Sequence, residues 1–140
     1  MIMIENKLAD QGVEFTPINI TGINQSKTYK PRTEKDLYNV YFELSSVPPI
    51  EWQRIFERVW KSSLYSMFRR TWVEDGYIVM YCGIGEIEKY HKEQLNKKVE
   101  ETNALYKSYL DSTRREQKDF QEKEKAEKEK VRDALSKISF

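Results

Sequence analysis

The stretch Leu37–Trp60, LYNVYFELSSVPPIEWQRIFERVW, constrains the chain more than any other. Its first part alternates. Tyr38, Val40, Phe42 and Leu44 leave one side, and Asn39, Tyr41, Glu43 and Ser45 the other. That period of two predicts a strand over 37–45 with one buried face. Pro48 and Pro49 end the strand and suit the first turn of a helix, where a missing N–H costs nothing. Trp52, Ile55, Phe56, Val59 and Trp60 then fall at offsets of three, four, seven and eight, which is one helix face. Glu51 in the first turn, with Arg58 and Lys61 in the last, complements the helix dipole at both ends.

The flanking segments have to cover these two apolar faces. VEFTPINITGI, from Val13 to Ile23, is rich in β-branched and aromatic residues and predicts a strand, which Pro17 confines to an edge or a bulge. Residues 24–36 are polar and read as a long exposed loop. Ser62 to Met67 reads as a connection. RRTWVE (69–74) and YIVMYC (77–82) flank Asp75-Gly76, a strong hairpin signal because both turn residues tolerate positive φ. Gly83 and Gly85 then break the strand, and a helix starts at about Glu86.

In that helix Ile87, His91, Leu95, Val99, Thr102, Tyr106, Tyr109 and Thr113 form one stripe. Phe120, Val131, Ala134 and Ile138 continue its phase through the charged run REQKDFQEKEKAEKEK. Thr113 and Glu116 fit a capping box that would start a second helix near Asp111–Thr113. The absence of Gly or Pro there favours one continuous helix, too long for so small a domain to contain, so its distal part should project or find a partner.

The element order ββαββα predicts an α+β fold: a four-stranded antiparallel sheet with two helices on one face. This is a ferredoxin-like order, circularly permuted so that the 13–23 strand replaces the last one. Strands 37–45 and 77–82 would be central, with 13–23 and 69–74 at the edges. An open β-meander with helices on one face is the alternative. The corresponding division is a flexible N-terminus (1–12), a head domain (13–110) and a charged helical arm (111–140).

Charged residues make up 34% of the 140, yet formal net charge is only +1, so no bulk field draws the chain to nucleic acid or an anionic surface. One cysteine, Cys82, leaves no internal disulfide and no cysteine-built zinc site. The apolar start is too short for a signal sequence and no segment has the length of a membrane span, so a cytoplasmic protein with no membrane contact is expected.

Chemistry-bearing patterns are sparse. Gly83-Ile84-Gly85 lacks the third glycine of a phosphate turn, with Glu86 where a phosphate would sit. His91, with Glu88 three residues before it, lacks a second nitrogen or thiolate ligand, and reads as a surface or half-buried helical residue. Cys82 reads as a structural thiol. An enzyme is therefore the least favoured class, with no catalytic residue, no cofactor and no metal expected.

Two surfaces merit attention. Tyr41, Glu43, Tyr77 and Tyr81 share the outer sheet face, and Tyr106, Phe120, Val131 and Ile138 mark the arm. Together they suggest a non-enzymatic protein-interaction or assembly module, self-associating as a homo-oligomer or binding a heterologous protein. The alternative is a nucleic-acid-binding module that stacks bases on the tyrosines and neutralises phosphates with Lys27, Lys30, Arg32, Arg69 and Arg70. On the bland reading the tyrosines are covered by another subunit or by the long helix.

Overall fold

The structure, a computed structural model, describes residues 15–140. The expected flexible segment 1–12 and the expected strand start at Val13 lie outside the described residues. Four strands, β1 (Ile20–Ile23), β2 (Tyr38–Leu44), β3 (Thr71–Glu74) and β4 (Tyr77–Cys82), form one antiparallel sheet in the order β1-β2-β4-β3. Among the described residues two α-helices accompany it, α1 (Ile50–Lys61) and α2 (Lys92–Ser136). The chain divides into two compact units, one spanning Thr16–Tyr106 and the other containing Lys107–Phe140.

The alternation in β2 is realised in part: Tyr38 is half-buried, and Tyr41, on the opposite face, is buried as well. Val40, Phe42 and Leu44 are buried together with Ile78, Met80 and Cys82, which share their face on β4. On α1, Trp52, Ile55, Phe56, Val59 and Trp60 are buried. Trp52, Phe56 and Trp60 stack along the helix with ring centroids 5.6 and 6.0 Å apart. Their four-residue spacing places successive rings one turn apart, so the helix itself sets the stacking geometry. Phe68 extends this column, its ring 5.7 Å from that of Trp60.

Two boundaries differ from the sequence reading. The first strand is only Ile20–Ile23, with a bulge between Ile20 and Gly22. Ahead of it, Ile18 is buried with its backbone bound to a side chain instead of a strand. The third strand begins at Thr71; ahead of it the Arg69 carbonyl accepts from Trp60 Nε1 at 2.9 Å and Thr71 Oγ1 at 3.0 Å. After β4 the second helix starts close to the expected Glu86: a 3₁₀ turn (Ile84–Glu86) and a π turn (Ile87–His91) lead without a break into the α-helical part at Lys92. The turn at Asp75-Gly76 forms as expected, Asp75 adopting φ 53°.

The helix α2 runs for 45 residues without a break at 111–113, where Asp111 pairs with Arg114 at 3.0 Å. Up to Tyr106 its face carrying Leu95, Val99, Thr102 and Tyr106 is buried. Beside that face, Asn103 joins three elements. Its Oδ1 accepts from Trp52 Nε1 (2.9 Å) and from the Ile18 N–H (3.1 Å), while its Nδ2 donates to the Ile18 carbonyl (2.8 Å). At the opposite sheet edge, the Val73 N–H of β3 donates to Glu57 of α1 at 3.4 Å.

Replacing Asn103 by Leu would leave the indole N–H of the fully buried Trp52 without a partner, along with both backbone groups of Ile18. Each orphaned buried group costs about 1–3 kcal/mol. Asn103→Leu is expected to lower unfolding free energy by about 3 kcal/mol in urea titration followed by tryptophan fluorescence. A loss below about 0.5 kcal/mol would mean that this side chain does not join the elements energetically.

Candidate functional site

The densest polar cluster lies where β4 passes into α2. Glu86 receives a bidentate bond from Arg69, Nε at 2.9 Å and Nη2 at 2.7 Å. Its Oε1 also lies 3.0 Å from His91 Nε2, and His91 Nδ1 lies 2.8 Å from the Tyr65 hydroxyl. His91 is fully buried, contrary to the surface or half-buried position expected. The π turn and the first turn of α2 place it in phase with Leu95 and Val99, on the core face. The carboxylate it meets is Glu86; Glu88 instead pairs with Lys92 at 3.4 Å on the exposed side.

The proton positions follow from the partners. Arg69 holds the Glu86 carboxyl down at about 2, its hydrogen bond outweighing burial, with His91 and the Gly83 backbone adding to the effect. An ionised Glu86 only accepts, so His91 Nε2 carries a hydrogen, and in the neutral imidazole Nδ1 accepts from the Tyr65 O–H. Burial first, then the neighbouring Cys82 and Glu86, push the Tyr65 phenol upward, which keeps that hydroxyl a donor. Cys82 is fully buried and its thiol is raised to about 12, chiefly by burial and then by Glu86. Arg69 stands near Cys82, but its charge is committed to Glu86, so the thiol stays protonated.

Gly83 has a role the sequence did not declare. Its φ is −77°, open to any residue, but a Cβ would lie 2.9 Å from Glu86 Oε2. Space, not backbone conformation, calls for glycine here. Gly85 meets nothing within 4 Å of an added Cβ.

The outer sheet face is covered by the chain itself. Beyond the end of β1, residues 24–29 continue along the edge of β2: the Asn24 N–H donates to the Tyr41 carbonyl (2.8 Å) and Thr28 Oγ1 accepts from the Tyr41 N–H (3.1 Å). The segment read as a long exposed loop is thus partly paired, with a bridge from Tyr29 to Asn39. Lys27 Nζ lies 5.4 Å from the Tyr41 ring centre and 5.2 Å from that of Tyr77. The two rings meet edge to face at 5.5 Å, and Asn24 Nδ2 donates to the Tyr77 hydroxyl. Tyr41 also donates to Glu74 at 3.0 Å and is only 7% exposed. Across the sheet the Tyr41, Val79 and Trp72 positions form one row, with Val79 wholly buried. Glu43 and Tyr81 lie on this face and are half-buried.

The other basic residues singled out in the sequence are also engaged. Lys30 pairs with Asp36 and sits over Tyr38, Arg32 pairs with Glu34, and Arg70 lies 5.0 Å from the Trp72 ring centre. On the arm, Phe120, Val131 and Ile138 are 66%, 48% and 58% exposed, whereas Tyr106 is buried within the head unit. Among the described residues no group of three or more His, Cys, Asp or Glu side chains is arranged to hold a metal ion. No helix among them is long and apolar enough to cross a membrane.

Sequence reasoning found Glu86 and His91 singly and missed their connection. The missing partners, Arg69 and Tyr65, are seventeen and twenty-six residues away from Glu86 and His91 respectively. No local period reports such pairs.

A carboxyl held at about 2 instead of 4.5 binds fewer protons folded than unfolded between those values, so it stabilises the protein above pH 4.5. That contribution, on the order of 3 kcal/mol, is lost as pH falls toward 2. Glu86→Gln is expected to flatten this acid limb of the stability curve, measured by denaturant unfolding at a series of pH values. An unchanged slope would show that Glu86 is not held down. Gly83→Ala should displace the carboxylate and move its NMR titration midpoint upward.

Comparison with known proteins gives no match: no family model, no curated protein and no solved structure resembles this chain significantly.

Proposed function

We propose that this chain is a non-enzymatic protein-interaction module: an α+β head carrying a helical arm through which it associates with a second copy of itself. The head's strand order is that of a circularly permuted ferredoxin-like sandwich, with the first strand in the place of the last. The observation that carries the reading is the exposed apolar line of the arm. Phe120, Val131, Leu135 and Ile138 are each 48–66% exposed. They continue the helical phase of Leu95, Val99 and Tyr106, which are buried in the head. A helix that keeps one apolar stripe beyond its own domain is built to cover that stripe with something.

The polar cluster supports a structural role over catalysis. Arg69, Glu86, His91 and Tyr65 satisfy one another, and the Cys82 thiol is protonated and buried. A single free cysteine suits a reducing compartment, and we take the protein to be cytoplasmic.

The nucleic-acid alternative draws less support. Lys27 occupies the tyrosine face it would have to leave open, and Lys30, Arg32 and Arg69 have acidic partners. Mixed single-stranded RNA and DNA should show no salt-dependent binding to the full chain; a steep salt dependence would favour that alternative.

Light scattering over a wide concentration range should give a mass above that of the 16.8 kDa chain. The triple variant Phe120→Lys, Val131→Lys, Ile138→Lys should return it to monomer while the head's thermal transition stays within about 2 °C. A wild-type chain that is monomeric at every concentration would sink the proposal.

A further inference from the structure

The arm's charge order specifies how two copies would meet. Residues 122–130 read Glu-Lys-Glu-Lys-Ala-Glu-Lys-Glu-Lys, all exposed and all within α2. This block is antisymmetric about Ala126: reversing the direction of the chain exchanges every acid for a base. In two helices running antiparallel about a two-fold axis at Ala126, Glu122 shares a level with Lys130, Lys123 with Glu129, Glu124 with Lys128, and Lys125 with Glu127. Each level then pairs opposite signs, and Glu124 with Lys128 is the pair whose two members lie on the side of the helix that carries Phe120 and Val131. Two like pairs, Asp119 against Asp133 and Arg115 against Lys137, lie outside it.

The same block repeats with a period of five: Glu122 and Glu127, Lys123 and Lys128, Glu124 and Glu129, Lys125 and Lys130. In a parallel two-helix coil the flanking charges that meet across the seam are five residues apart, from g to the following e. Parallel pairing therefore sets Lys123 against Lys128, the pair of this spacing that flanks the side carrying Phe120 and Val131. The apolar residues fit the antiparallel arrangement as well. Phe120 lies six residues before Ala126 and Val131 five after it. Phe120 of one copy thus comes within about 1.5 Å of axial rise of Val131 of the other, at both ends of the charged block. These two are exposed, and their eleven-residue separation keeps them on one side of a nearly straight helix.

Resting on the self-association proposed above, we infer that the arm is an antiparallel dimerisation element with its two-fold axis at Ala126, its occupant being the arm of a second copy. Within one chain Glu124 and Lys128 lie 3.8 Å apart, a loose contact that either side chain can exchange for one across the axis.

Charge reversal in the full chain separates the orientations. The variant Glu127→Lys, Lys128→Glu, Glu129→Lys, Lys130→Glu keeps composition and net charge but makes every pair about Ala126 alike. It should weaken association about tenfold or more in 50 mM salt. Reversing residues 122–125 in addition restores opposite pairing and should restore the wild-type mass. In a Cys82→Ala background, spin labels at Arg115, Ala126 and Lys137, eleven residues apart, should give the shortest intercopy distance at 126 and longer ones at both ends. A dimer with equal distances at all three positions, or one strengthened by the first reversal, would overturn the antiparallel assignment and leave self-association standing. A monomeric wild-type chain would remove both.

Discussion

Three parts of the head with no sequence proximity meet at the amide of Asn103. It holds the buried strand-like entry at Ile18, the indole of Trp52 on α1 and the proximal turns of α2 through one planar group. A carboxamide suits this position because it offers an acceptor with two lone pairs and a pair of donors on one rigid plane. The Ile18 backbone needs one of each, and Trp52 needs the spare lone pair. An apolar core alone does not fix the register of an irregular entry segment, since burial is non-directional. The amide supplies the direction that packing lacks, and the stacked column Trp52, Phe56 and Trp60 is anchored at one end by it.

The cluster around Glu86 applies the same logic where the chain turns from β4 into α2. A buried histidine with an unpaired ring nitrogen would be costly, and here both nitrogens are used. The wide π turn brings His91 into the core while Glu86 stays half-buried within reach of Arg69. Such turns recur at functional sites, yet here each group faces another of the set, and the geometry serves closure of the helix-to-sheet junction.

How much of this was legible depended on whether the signal was local. The strand in 37–45, the helix after Pro49 and the Asp75-Gly76 turn follow from periodicity and from one residue's tolerance of positive φ, and all three formed. The continuity of α2 past Thr113 followed from the lack of any breaker. What escaped were long-range polar choices. Asn103 sits beside the apolar stripe and reads as an ordinary surface amide. Lys27 reads as a solvated charge, but its ammonium lies over the rings of Tyr41 and Tyr77. His91 reads as a surface or half-buried residue because nothing in its neighbourhood announces Tyr65 or Arg69. Among the described residues the first strand starts late for a related reason: at Ile18, side-chain bonds from Asn103 stand where β-propensity suggested a ladder.

The bond from Glu57 to the Val73 N–H bears on how such proteins avoid misassembly. An outer strand with free backbone donors is a template on which a foreign strand can grow. Here β3 has only four residues and gives one of its outward donors to a helix carboxylate. At the other margin β1 is equally short, bulged and backed by Gly22. Neither margin offers a flat run of unpaired amides, so accretion of sheets is discouraged at both. Backbone pairing, which is sequence-tolerant, is thereby disfavoured at both margins relative to contacts made by side chains.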